Sequence, residues 1–124
     1  MCQVGTWGAE LWEEFAELWP KQREYVVIKH RFSAFAGTDL DMVLRSRRID
    51  SVVLTGVVTN FCIESTARDA VSLNYKVIVL ADCTAAKNRE LHEFSLDIIA
   101  QSFGTVTTSG KVVKVWGTLN QQEP

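Results

Sequence analysis

The stretch VVLTGVVTNFCIESTARDAVSLNYKVIVLADCTAA, residues 52–86, decides the fold. The run SVVLTG at 51–56 is β-branched and apolar without alternation, as is KVIVLA at 76–81, which predicts strands covered on both faces. Between them, Ile63, Ala67, Ala70 and Val71 fall on one helical face, and Asn74 is placed to end that helix in a left-handed conformation. Strand, helix and strand at this spacing predict a βαβ unit with parallel strands. Cys62 stands at the joint between the first strand and the helix. In parallel α/β sheets ligands bind beyond the carboxyl ends of the strands, so Cys62 is placed where chemistry is done.

The same pattern extends outward in both directions. EYVVIK at 24–29 and TVTT at 105–108 read as further strands. Leu40, Val43 and Leu44 mark one more helix, with Thr38 and Asp41 spaced as a capping box at its start. Leu91, Phe94, Ile98 and Ile99 mark another, and GAELWEEFAELW at 8–19 a third, with Leu11, Phe15 and Leu18 on one face. The expectation is a three-layer α/β/α domain, a parallel sheet with helices on both faces, occupying all of residues 1–124.

Bulk properties narrow the function. A chain of 124 residues, 47% hydrophobic and 23% charged, is the size and composition of one globular domain. A net charge of −2 gives no electrostatic ground for a nucleic-acid or membrane partner. No apolar run reaches the roughly 20 residues that span a bilayer, and MCQVGTWGAE lacks the basic start and apolar stretch of a signal peptide. Three cysteines without paired spacing do not make a disulfide framework, which points to a reducing cytoplasm.

Two strand ends carry candidate chemistry. A thiol reacts as thiolate, and a helix amino-terminus favours that anion through its unpaired N–H groups. With Thr59 or Asn60 as cap, Cys62 lies in the first helical turn, where the same N–H groups could hold an oxyanion. Against this stands the tendency of free cysteines to be core residues, and Cys83 also follows a strand, while Cys2 is near the terminus. Lys29 closes another strand, either as a snorkelling surface residue or as a cation beside a thiolate. His30 and Arg31 follow it as solvated loop residues or contacts for an anionic substrate. His92 reads as packed or surface, not as a general base, and Arg68 and Asp69 as packing or solvation. Trp7, Trp12, Trp19 and Trp116 are read as packing or a subunit interface. TGVVTN lacks the spacing of a phosphate loop, and no histidine–carboxylate cluster suggests a metal.

KHRFSAFAGTDL at 29–40, followed by the 52–86 stretch, closely resembles the isochorismatase-like cysteine hydrolases, over about residues 5–115. The wording TNFCIESTARDA sits nearer the N-carbamoylsarcosine and ureidoacrylate amidohydrolase branch than the nicotinamidases. The resemblance implies that Cys62 is the nucleophile and Lys29 the lysine beside it. It also implies a cis peptide at Val57–Val58, an oxyanion hole from the N–H groups of Val58 and Cys62, support from Thr59, and a substrate pocket shared by Phe35, Thr59 and Arg31. Family members also carry an amino-terminal strand ending in an aspartate that moves protons. MCQVGTWGAELWEEF supplies neither, and Asp39, Asp41 and Asp82 are not convincing substitutes. The expectation is therefore an isochorismatase-like domain missing its N-terminal part, with no cofactor and no metal. Its partners are expected to be a small amide or ureido substrate and further copies of itself, as a dimer or tetramer. The alternatives are a catalytically silent, oligomer-forming family member and a redox-responsive thiol protein.

Overall fold

A computed structural model describes residues 5–7, 10 and 24–119. Its elements run α1 (Leu40–Ser46), β1 (Ser51–Val57), a π-helical turn (Thr59–Ile63), α2 (Glu64–Ser72), β2 (Lys76–Ala85), α3 (Arg89–Ser102), β3 (Thr105–Thr107) and α4 (Ser109–Leu119). The three strands form one sheet in the order β1-β2-β3, parallel throughout. The strands expected at 51, 76 and 105 are therefore present, as is the βαβ unit. The expected amino-terminal helix, with Trp12 and Trp19, lies outside the described residues, as does Cys2.

The core forms on one face of this sheet. Val77 and Val79 of β2 point to that face and meet Ile63, Ala67 and Ala70 from the turn and α2, and Ile99 from α3. Alternation along a strand then turns Ile78, paired with Val53 of β1, to the opposite face. There α4 lies across the sheet, leaving a groove of about 260 Å³ between Val53 and Ile78 on one side and Val112, Val115 and Trp116 on the other. The sheet thus has helices on both faces, but only β2 is buried in the manner expected. β1 buries none of its residues, because it is an edge strand with one hydrogen-bonded neighbour among the described residues.

Residues 24–29 differ from the sequence reading. They form no ladder among the described residues, and Tyr25, Val26 and Ile28 are exposed. Apolar, β-branched composition favours a strand only where a neighbouring backbone supplies its hydrogen bonds.

Helix ends show both success and correction. Asn74, at φ 69°, ends α2 in the left-handed region as expected, with its N–H donating to the Val71 carbonyl at 2.9 Å. The capping box at α1 is not formed. Asp41 instead accepts from Arg45 at 2.9 Å and from the Tyr75 hydroxyl at 2.7 Å, while Thr38 Oγ1 donates to the Ala34 carbonyl at 2.6 Å.

The core-facing stripe of α3 is also displaced. Phe94 is 66% exposed and Leu91 is exposed too, whereas Ser95 and Ile99 are buried. The helical period is as read from the sequence, but its phase is set by two polar residues, His92 and Ser95, whose partners are described below. Trp7 and Trp116 are exposed, so neither is a core residue.

Asp82 secures the start of α4, accepting from the Ser109 N–H at 2.8 Å and its hydroxyl at 2.5 Å. It thereby satisfies one of the amide groups a helix leaves unpaired at its first turn. The Ser109 hydroxyl, then the Ser109 N–H, holds the Asp82 carboxyl below its ordinary value. A depressed carboxylate stabilises the fold fully above its ordinary value and loses that contribution as pH falls through the folded value. The Ser109 amide resonance is expected to titrate in acid, below about pH 4, and Asp82→Asn should abolish that titration. An amide shift that ignores acid would contradict the contact.

Candidate active site

The site is built where β1 ends. Gly56 has φ 109°, a conformation open to glycine and strained for other residues, and the β1–β2 register shifts between Leu54 and Gly56. The Val57–Val58 peptide bond that follows is cis. Val58 then takes an extended conformation and begins the π turn, its carbonyl accepting from Phe61 N at 3.1 Å and Ile63 N at 3.3 Å. Neither Thr59 nor Asn60 caps the helix through its side chain, contrary to the sequence reading; Val58 holds the cap position. Cys62 sits on this π turn, one turn ahead of α2, and is half-buried.

Lys29 reaches Cys62 from 33 residues upstream. Its Nζ donates to Cys62 Sγ at 3.4 Å and to the Arg31 carbonyl at 2.9 Å. The segment after Lys29 is held compact by its own bonds, among them Phe35 N to Ser33 Oγ at 3.2 Å and Thr38 Oγ1 to the Ala34 carbonyl. One buried residue ties that segment to the cysteine turn. Thr66 Oγ1 donates to the Cys62 carbonyl at 2.6 Å and accepts from Ala34 N at 3.0 Å. Thr66→Val keeps the shape and leaves both backbone groups without this partner. The expected loss is about 1–3 kcal/mol, read as a lower urea midpoint, together with slower alkylation of Cys62. An unchanged midpoint and rate would contradict the bridge.

The other residues singled out from the sequence are placed as follows. Thr59 is fully buried, and its hydroxyl meets His92 Nδ1 at 2.9 Å. The Phe35 ring stacks on Tyr75 at 5.7 Å and packs against the core. The Arg31 guanidinium turns back to the His30 carbonyl at 3.0 Å, so its link to the site is its own carbonyl on Lys29. His30 and Arg31 share an open hollow with Ala36 and Gly37. Arg68 pairs with Glu64 at 2.7 Å and lies over the Phe103 ring.

Sequence reasoning missed the apolar surroundings of the turn. Phe32 and Phe61, both partly exposed, stack at 5.3 Å. Phe61 also joins Val57, Val58, Asn60, Ala85 and Leu91 around a hollow of about 570 Å³. The available signal was position: Phe32 is three residues past Lys29, and Phe61 directly precedes Cys62. Asn60 Oδ1 is buried beside this hollow and finds no hydrogen-bond partner among the described residues.

Three aspartates are committed elsewhere. Asp39 accepts from the Tyr25 hydroxyl, Asp41 is held by Tyr75 and Arg45, and Asp82 by Ser109. The Tyr75 and Arg45 hydrogen bonds keep the Asp41 carboxyl below its ordinary value. Among the described residues no three His, Cys, Asp or Glu side chains gather as a metal site would require, and no helix is long and apolar enough to cross a membrane.

A half-buried thiol with a lysine ammonium at its sulfur, on the turn leaving a parallel strand, defines an α/β protein organised around a cysteine. Comparison with known proteins makes that class specific. The Isochorismatase domain model matches residues 1–111, and the chain belongs to the isochorismatase family. It is 39% identical over 113 residues to a ureidoacrylate amidohydrolase, RutB, of Acinetobacter baylyi, covering 90% of this chain and 45% of that protein. An isochorismatase-like hydrolase from Alkaliphilus metalliredigens superposes with a TM-score of 0.82 at 47% identity, over 90% of this chain and 59% of the other. The nicotinamidase PncA from Bacillus subtilis superposes at 0.77 and 34% identity, over 86% and 60%. The chain spans about half the length of the curated relatives it matches.

Proposed function

We propose that this chain carries the nucleophile of a hydrolase that cleaves the C–N bond of a small amide, ureido or carbamoyl compound through a thioester. The observation that carries the reading is the Lys29 ammonium 3.4 Å from Cys62 Sγ, on the π turn after β1. A cation at that distance stays close to the negative charge that develops during attack. The Cys62 sulfur adds to the carbonyl carbon, and the carbonyl oxygen becomes an oxyanion for which the Val58 and Cys62 N–H groups are the proposed donors. The C–N bond then breaks, the nitrogen leaves carrying the proton that the thiol gave up on attack, and the acyl group remains on sulfur. Water adds to the thioester, releasing the acid or carbamate and returning the cysteine. The likeness to a ureidoacrylate amidohydrolase favours a ureido or carbamoyl substrate. A reducing, cytoplasmic setting suits a free thiol in this role.

A second reading draws on the aspartates. Asp39, Asp41 and Asp82 are engaged away from Cys62, and loss of a general acid–base group costs about 10²–10⁴-fold in rate. The family fold would then serve assembly, with the exposed Val113, Val115 and Trp116 of α4 as part of a homo-oligomer surface. The test is ammonia release from a panel of primary amides, N-carbamoyl amino acids and ureido acids, alongside light scattering. Release from at least one class, with mass addition at Cys62 on rapid quenching, is expected. No release from any class, in a protein that assembles as a discrete oligomer, would favour the second reading.

A further inference from the structure

The side chain of His92 meets the Cys62 turn without touching Cys62. α3 turns two polar residues, His92 and Ser95, toward the core, three positions apart and so on one helix face. Both grip Thr59. The His92 ring nitrogen Nδ1 lies 2.9 Å from the Thr59 hydroxyl, and Ser95 Oγ lies 3.3 Å from the Thr59 carbonyl. Ser95 Oγ also lies 2.5 Å from Glu64 Oε2, and the other oxygen of Glu64 accepts from Arg68. Thr59 is wholly buried, and it is the first residue of the turn on which Cys62 sits three positions later.

We infer that His92 is a positioning residue for the Cys62 nucleophile, acting through Thr59; the inference rests on the hydrolase reading above. A π turn is rare, occurs mostly as a single-turn insertion, and is frequent at functional sites. Its geometry has to be held from outside. Thr66 holds one side of the turn, through the Cys62 carbonyl. The side facing α3 is held at Thr59, where a side-chain contact and a backbone contact converge on one residue. A hydroxyl can donate or accept, so the Thr59–His92 bond forms with either ring tautomer. A buried hydroxyl deprived of this partner gains by turning away, and the turn carrying Cys62 loosens with it. Histidine at this core-facing position is thereby explained: leucine would suit the packing, but it could not hold Thr59.

The test compares His92→Asn with His92→Gln. An asparagine amide reaches about as far as Nδ1, whereas glutamine projects to the position of Nε2. Iodoacetamide alkylation of Cys62 is followed at neutral pH by peptide mass mapping, with exposed Cys83 as the internal reference and a thermal melt for each protein. His92→Asn is expected to stay within about threefold of the unsubstituted protein, and His92→Gln to slow Cys62 about tenfold, with Cys83 unchanged in both. Equal Cys62 rates in the two folded variants would overturn the inference. In the unsubstituted protein, a Cys62 no faster than Cys83 would instead overturn the hydrolase reading, and the role of His92 with it.

Discussion

Cys62→Ala is expected to lose amide turnover by roughly 10⁴-fold or more, because it removes the atom that bonds to the substrate and closes the covalent route. Whatever binding the turn and its surroundings provide would persist, so substrate affinity should change far less than turnover. The fold should be nearly indifferent. Cys62 is half-buried and outside the buried cluster built on Val77, Val79, Ala67 and Ile99. Its side-chain bond to Lys29 joins two site residues and no core element. Saturating kinetics on the panel substrate and a thermal melt together check this outcome. Turnover retained in the alanine variant would remove the nucleophile assignment.

Gly104→Ala is expected to produce the largest loss of stability. Gly104 lies between α3 and β3, and its N–H donates to the Ile99 carbonyl at 3.0 Å. A Cβ at this position would stand 2.4 Å from the Val77 carbonyl oxygen and 2.9 Å from Val77 Cβ. The obstruction is mainly backbone, in the middle strand of the sheet, and Val77 is itself buried. It has no rotamer through which to yield. Forcing atoms into a packed interior costs about 1–3 kcal/mol, or more where backbone must move. That is a large share of a total stability of about 5–15 kcal/mol. Urea unfolding reads the effect, and an unchanged midpoint would show that β3 does not approach β2 as closely as described.

The scaffold was legible where local chemistry and global packing agree. The β-branched runs at 51 and 76 became β1 and β2, and Asn74 ended α2 as its short amide side chain allows. The amphipathic face of α2 was legible in most of its positions, since Ile63, Ala67 and Ala70 are buried, while Val71 is exposed. Residues 24–29 show the limit of that reasoning, because β-branched composition says nothing of whether a neighbouring backbone is there to pair with. α3 shows a second limit. Hydropathy assigned its core face to Leu91, Phe94, Ile98 and Ile99; Ile99 is buried as read, but Leu91 and Phe94 are exposed, because a polar side chain can take a core-facing position once its hydrogen bonds are satisfied. His92 and Ser95 claimed that face through Thr59 and Glu64.

The candidate site was legible in part. Cys62 stood out by its place after a strand, and Lys29 by closing the segment upstream. Nothing in the 32 intervening residues announces that Nζ and Sγ will meet; the family likeness implied it. Phe32 and Phe61 were marked only by their places beside Lys29 and Cys62, and the Thr66 bridge by nothing, since each acts through a contact between segments distant in sequence. Thr59 was expected to support the turn, and it is found buried there, held by α3.

The most direct measurement is the alkylation rate of Cys62 against that of Cys83 across pH, in the unsubstituted chain and in Lys29→Met. Cys62 is half-buried on the turn after β1, whereas Cys83 is exposed near the end of β2, where the sequence reading had placed it just past a strand, so Cys83 serves as the accessible reference thiol. The account predicts that Cys62 reacts faster at neutral pH and that Lys29→Met removes the difference. Equal rates for the two cysteines, or a Cys62 rate indifferent to loss of Lys29, would contradict it.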